Sequence, residues 1–152
     1  MVERTMSNDD ASTDNVGPLS AKVLEYARIV KELAARAKEP GYSRDDWAPL
    51  TAMVAIGEFE RTGIWRETVS WDDYLDFMVP WAASKDFDTR LRRCTEVGNL
   101  VFFEIEEHHI KDSEDTVVNS MNVYEFDDEA KIRHLDVYLQ GQLGSAAFQA
   151  PQ

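Results

Sequence analysis

The spacing of apolar residues changes from a helical to an alternating period near the middle of the chain, so helices come first and strands follow. Leu19, Val23, Tyr26, Ala27, Val30, Leu33 and Ala34 recur every three or four residues, which makes one helix face apolar as far as Glu39-Pro40-Gly41. A shorter helix is expected from an Asp45-Asp46 cap, with Pro49 in its first turn and Trp47, Leu50 and Met53 or Val54 buried. A third should start at Ser70, with Asp73 completing a capping box. It presents Tyr74, Leu75, Phe77 and Met78 until Pro80 kinks or ends it. Beyond it the segments 87–97, 101–110, 116–126 and 131–139 alternate between turn residues, the pattern of an antiparallel meander.

Alternation also assigns faces. Val101, Phe103 and Ile105 point one way, and Phe102, Glu104 and Glu106 the other. Pairing Asp112 with Asp115 sets Ile105 opposite Asn122, Glu107 opposite Ser120 and His109 opposite Val118. Pairing Phe126 with Lys131 sets Leu135 opposite Asn122 and Val137 opposite Ser120. The core face then carries Val101, Phe103, Ile105, Val118, Tyr124, Leu135, Val137 and Leu139, with Glu107, His109, Ser120 and Asn122 set among them. A slip of one residue in either hairpin would exchange faces, and His134 and Asp136 would replace His109 as the inward pair. The expected class is α+β: a cone-shaped, strongly curved antiparallel sheet with about three N-terminal helices packed on its concave face.

At 152 residues the chain is the size of one domain. That domain is expected over residues 18–140, between an acidic tail at 1–17 and a loose tail at 141–152 with Phe148 available to pin it. Sixteen Lys and Arg against 29 Asp and Glu give a net charge of −13, which argues against nucleic acid and anionic membranes as partners. The carboxylates crowd between Glu104 and Asp136, where a solvated face is the simplest reading. A single cysteine, Cys94, permits no internal disulfide, and no apolar run has the length of a membrane span or the position of a secretion signal. The expected compartment is the cytoplasm.

The segments DDWAPLTAMVA and GEFERTG, then SWDDYLDFM, EVGNLVFFEIEE and VVNSMNVYEFDDEAKIRHLDVYL, carry a resemblance that spans roughly residues 19–140. In this order they resemble the nuclear-transport-factor-2-like superfamily, in its ketosteroid-isomerase-like and SnoaL-like polyketide-cyclase branch. The resemblance implies a cone with an apolar interior and a homodimer, here through the outer sheet face. It also implies a cofactor-independent lyase, dehydratase, cyclase or isomerase acting on a small apolar, aromatic or polycyclic molecule. Asn122 falls where the steroid isomerases place the carboxylic acid that stabilises a dienolate oxygen, and an amide can donate that hydrogen bond at any pH. Tyr26 is the inward tyrosine of the first helix, matching a second donor of those enzymes. Their general-base position falls at or beside Thr62, where there is no carboxylate and Glu60 is the nearest one. This departure speaks against steroid isomerisation.

Independently of the resemblance, a His and a Glu inside an apolar cup would be shifted towards the working range of a general acid or base. Glu107 and His109 share a face about 7 Å apart along one strand. The alternative is that both lie in water beside the Lys111-Asp112 turn. Phe103, Ser120, Tyr124, Leu135 and Val137 would line the pocket. Trp65 and Trp71 flank its expected mouth, where either could stack on a planar ligand, although core packing is the simpler reading of both. His108 has the opposite parity and should lie outside with Glu104 and Glu106, and the same register sends His134 and Asp136 outward with Met121, Val123 and Tyr138. No histidine spacing or acidic loop suits a metal, and no GxSxG, GxGxxG or phosphate loop implies a nucleophile or a cofactor. Cys94 reads as a small buried side chain. A noncatalytic ligand-binding or dimerising module is the alternative function for the same fold.

Overall fold

Pro18 opens the first helix, where its fixed φ suits the first turn and its missing N–H would have had no helical partner. The computed structural model describes residues 16–141. The expected tails, apart from Val16, Gly17 and Gly141, and the Phe148 anchor lie outside that range. Helix α1 spans Pro18–Arg36 and buries Val23, Tyr26, Leu33 and Ala34, the stripe read from the sequence. Gly17 at its N-cap has no side chain to offer, so the cap comes from elsewhere: the Ser20 N–H donates to Glu96 Oε1 at 2.7 Å, 76 residues away. A Cβ on Gly17 would meet that carboxylate oxygen at 2.5 Å, so a side chain there would push the Glu96 carboxylate from its place. At the other end Lys38 Nζ donates to the Ala34, Ala82 and Lys85 carbonyls, tying together the C-termini of two helices.

The second helical segment starts earlier than the Asp45-Asp46 cap predicts. Ser43 caps it, accepting from the Asp45 N–H, while the Asp46 carboxylate accepts from the Ser43 N–H at 2.9 Å. A 3₁₀ turn over Arg44–Trp47 leads directly into a single turn, α2 (Ala48–Thr51). Trp47, Leu50 and Val54 are buried, and Met53 only partly. Helix α3 covers Trp71–Ser84 behind a Ser70 cap. One expectation fails there, since Phe77 is 51% exposed, and of the two outcomes expected at Pro80 the helix does not end but runs on for another turn. Next to the proline, the Val79 carbonyl accepts from the Tyr42 hydroxyl at 2.8 Å, one of the contacts that hold this turn in place.

The sheet has six strands, not four. They are β1 (Glu60–Thr62), β2 (Thr68–Val69), β3 (Asp86–Val97), β4 (Leu100–Lys111), β5 (Glu114–Phe126) and β6 (Ile132–Gln140), in the order β2-β1-β6-β5-β4-β3. Strand β1 runs parallel to β6, so the sheet is mixed rather than wholly antiparallel as expected. Strands of three and two residues are too short for alternation to reveal.

Both long hairpins pair two residues out of the expected register. Lys111 faces Glu114, and the turn is Asp112-Ser113 with φ of 52° and 68°, a two-residue loop with both central residues left-handed. Ile105 therefore faces Ser120, Glu107 faces Val118, His109 faces Thr116, and Asn122 faces Phe103. In the next hairpin Val137 faces Asn122, Leu135 faces Tyr124 and Leu139 faces Ser120, with an irregularity at Arg133. A slip of two leaves every side chain on its expected face. The register between β3 and β4 shifts at Arg92, which sharpens the local twist. The inner face, with α1 and α3 against it, closes over Val101, Phe103, Ile105, Tyr124, Phe126, Ile132 and Leu135.

The distant cap predicts that Glu96→Ala lowers the stability by about 1–2 kcal/mol with an unchanged denaturant m-value. Replacing Asp112-Ser113 by Asn-Gly, the pair suited to two left-handed residues, should raise the urea midpoint and add about 0.5–1 kcal/mol.

Candidate functional site

The inward side chains of the sheet include polar ones, and these cluster. Glu107 and His109, in adjacent inward positions of β4, are held against the core, with side chains 14% and 10% exposed. They are not in water at the sheet's end. His109 Nε2 lies 2.8 Å from Glu107 Oε1, and the Ser120 hydroxyl donates to Glu107 Oε2 at 2.5 Å. The Asn122 amide donates to Ser120 Oγ at 3.0 Å and, more weakly at 3.5 Å, to the Phe103 carbonyl. Four of the residues singled out from the sequence thus form one continuous chain, His109–Glu107–Ser120–Asn122.

The tautomer follows from the chain. An ionised carboxylate only accepts, so the proton of a neutral His109 sits on Nε2 and the lone pair on Nδ1. Nδ1 is buried and has no hydrogen-bond partner. Around it stand Phe87 and Trp81, with ring centroids 5.2 and 6.3 Å from the imidazole. Lys85 Nζ lies over the Trp81 ring at 5.8 Å, and burial depresses its pKa, with Lys111 acting the same way and Glu107 opposing.

Tyr26 packs edge-on against Tyr124 at 5.5 Å, and Tyr124 against Phe103 at 6.2 Å. Its hydroxyl is buried without a partner. Burial, more than any neighbouring charge, pushes Tyr26, Tyr74 and Tyr124 upward, so all three remain O–H donors at physiological pH. Leu135 is buried and Val137 packs at the edge of the core. Trp71 is fully enclosed, packed on Phe59 at 5.1 Å with its N–H on Thr51, whereas Trp65 is largely exposed in the β1–β2 turn. Cys94 is half-buried and its thiol is raised by burial, which suits a packing role.

The other candidates lie outside. Glu60 and Thr62 belong to β1: Glu60 points away from the core, 3.8 Å from His134 Nδ1, and Thr62 Oγ1 lies 3.2 Å from the Thr68 hydroxyl. His134 and Asp136 pair at 2.9 Å on the convex face. His108 sits there between Asp115 at 2.9 Å and Glu106 at 2.7 Å. Among the described residues no group of three His, Cys, Asp or Glu is placed to hold a metal ion, and no helix is long and apolar enough to cross a membrane.

No family model matches the sequence, and no curated protein matches it either. Solved structures do. A SnoaL-like polyketide cyclase candidate from Shewanella putrefaciens CN-32 superposes with a TM-score of 0.66 over 91% of each chain at 8% identity. An epoxide hydrolase of M. tuberculosis described as LEH-like does so at 0.56, over 77% of this chain and 84% of its own, at 14% identity. An NTF2-like protein of unknown function from Cytophaga hutchinsonii reaches 0.55 over 91% of this chain and 95% of its own, at 13% identity. The chain has the NTF2-like fold. At such identities the likeness carries the architecture, and some proteins of that architecture are enzymes. Within this NTF2-like frame the sequence reading missed Arg61, which shares strand parity with the buried Phe59 in GEFERTG and turns inward with it. It also did not connect Phe87 and Trp81 with His109. Their contact with His109 follows from Phe87 lying opposite it on β3, a register that needs the β3–β4 turn to be placed first.

Carboxylates on both ring nitrogens, first Asp115 and then Glu106, raise the pKa of His108. Its contribution to stability is therefore complete below the unfolded value near 6.5 and disappears as the pH rises through the higher folded value. The stability difference between wild type and His108→Gln, from urea midpoints, should be largest at about pH 5.5 and shrink above neutrality.

Proposed function

We propose that the protein is a cofactor-independent acid/base enzyme, a lyase, dehydratase, cyclase or isomerase, acting on a small apolar, aromatic or polycyclic molecule bound inside the cone. The observation that carries this reading is the buried, unpartnered Nδ1 of an imidazole whose other nitrogen is held by a carboxylate. A lone pair in that position costs free energy unless something meets it, and a substrate C–H or O–H is what a general base would meet. Glu107 fixes the tautomer and stabilises the imidazolium once the proton has moved. Ser120 and Asn122 hold Glu107 in turn. Asn122 keeps one weakly engaged N–H, its 3.5 Å bond to the Phe103 carbonyl, for an oxyanion that develops on the substrate. Phe103, Tyr124, Leu135 and Val137 supply the apolar wall. Tyr26 stands at the far end as a binding donor.

The same reading includes a homodimer through the convex sheet face, where Tyr138 and Val117 are exposed and a groove of about 330 Å³ lies beside Arg93, Glu104, Met121 and Tyr138. A single half-buried thiol suits a reducing compartment such as the cytoplasm.

A thermal-shift screen over steroids, aromatic polyketides, diaryl compounds and epoxides tests the pocket. A ligand at 100 times its dissociation constant should add about 2.7 kcal/mol. With the class identified, His109→Asn should lower kcat by about 10²–10⁴-fold while the melting transition stays cooperative. Full turnover in that variant would remove His109 from the chemistry, and affinity changes without any turnover in the wild type would leave a binding module.

A further inference from the structure

The convex face of the sheet has a charge pattern of its own. Phe102 opposite Val123, and Met121 opposite Tyr138, form an apolar centre. The β3 edge beside it is basic: Arg90, Arg92 and Arg93 are exposed, and Arg92 reaches across to Asn119 Oδ1 at 3.5 Å. The opposite edge, β6 with β1, carries Asp136 and Glu60 on either side of His134. Such a face complements a second copy of itself. A two-fold axis parallel to the strands, between β4 and β5, lays the basic edge of one copy over the acidic edge of the other. It also sets the exposed Tyr138 of each above the Arg92–Arg93 end of the other's groove. Strands of nine to thirteen residues, four abreast, make a face of about 700 Å², close to the ~800 Å² per partner of a standard interface.

About that axis β4 of each copy lies over β5 of the other, so the groups nearest to it meet their own counterparts. These include Glu106, His108 and Asp115. Glu106 Oε1 is 2.7 Å from His108 Nε2 and Asp115 Oδ2 is 2.9 Å from Nδ1, and among the described residues neither carboxylate has a salt bridge to any other base. The other acids around the imidazole are matched by permanent cations: Asp88, opposite His108 on β3, by Lys31 of α1 at 2.8 Å, and Glu104 by Arg93 at 2.6 Å. Arg90 stands opposite Glu106 on β3 without a salt bridge to it. With His108 charged the trio carries one net negative charge, and with His108 neutral it carries two. The contact brings two trios together and removes water that screens them. We propose that pairing through this face is proton-linked, the two copies associating while His108 is an imidazolium and separating once it is neutral. This rests on the reading of the convex face as the dimer contact. Asp115 and then Glu106 already favour the charged ring in a single copy, so the change falls above the ordinary imidazole value. His134 lies at the outer edge, under the other copy's arginines, and takes no part.

Sedimentation velocity of the full chain at pH 6.0 and pH 8.5, in the same salt, measures the dimer dissociation constant. Wild type should pair at least about tenfold more tightly at the lower pH. His108→Gln should show the weak constant at both values, within about twofold, whereas His134→Gln should keep the wild-type ratio. Glu106→Gln combined with Asp115→Asn removes the acids and leaves the imidazole, so it should pair at pH 8.5 as tightly as wild type does at pH 6.0. That variant also decides the matter should His108→Gln fail to fold. Met121→Arg, in the apolar centre, should abolish the dimer throughout, and a dimer that survives it uses another face and overturns the inference. A wild type that stays monomeric at both values at submillimolar concentration overturns the inference together with the dimer reading. A dimer of equal affinity at both values, or a pH dependence that His108→Gln leaves intact, overturns the proton linkage alone.

Discussion

A carboxylate on the inner face of the sheet must be met by donors, and Glu107 is the residue around which the polar part of this interior is arranged. Left alone there, its charge would cost several kcal/mol. His109 on its own strand and Ser120 on the next satisfy it, and Asn122 holds Ser120. Each of these donors is in place only because β4 and β5 present their odd and even positions, respectively, to the same side. A one-residue slip would leave the carboxylate without Ser120 and turn Val117 and Asn119 inward. The polar chain therefore specifies the sheet register as strongly as the apolar contacts do.

Parity was legible in the sequence and pairing was not. Alternation over 101–110 and 116–126 is a property of each strand alone, so the inward set including Glu107, His109, Ser120 and Asn122 could be read directly. Which residue faces which depends on the turn, and Asp112-Ser113 is an unusual pair for two left-handed positions, so the sequence pointed to a turn one residue later. The same limit hid β1 and β2, whose existence depends on a neighbour far along the chain. Whether Pro80 ends the third helix was left open for a related reason: α3 is held by tertiary contacts, among them Tyr42 on Val79 and Lys38 on Ala82, that local propensity does not contain.

The chemical residues divide similarly. The His–Glu pair two apart on one strand was legible because spacing alone makes it a pair. Arg61 was not, because nothing in GEFERTG marks a three-residue strand, and an arginine in a charged chain reads as surface. Its inward position appears only where β1 joins β6 and the guanidinium comes to lie over the Tyr74 ring of α3.

The cap that Glu96 places on α1 joins the first turn of the first helix to a strand that emerges much later. Loop-closure entropy has to be met before such a contact can form, so the beginning of α1 stays frayed until β3 docks. During synthesis the helix leaves the ribosome with its N-terminal amides open and is completed from a distance. In native-state hydrogen exchange the Ser20 amide would then follow the opening of the sheet edge and not that of its own helix.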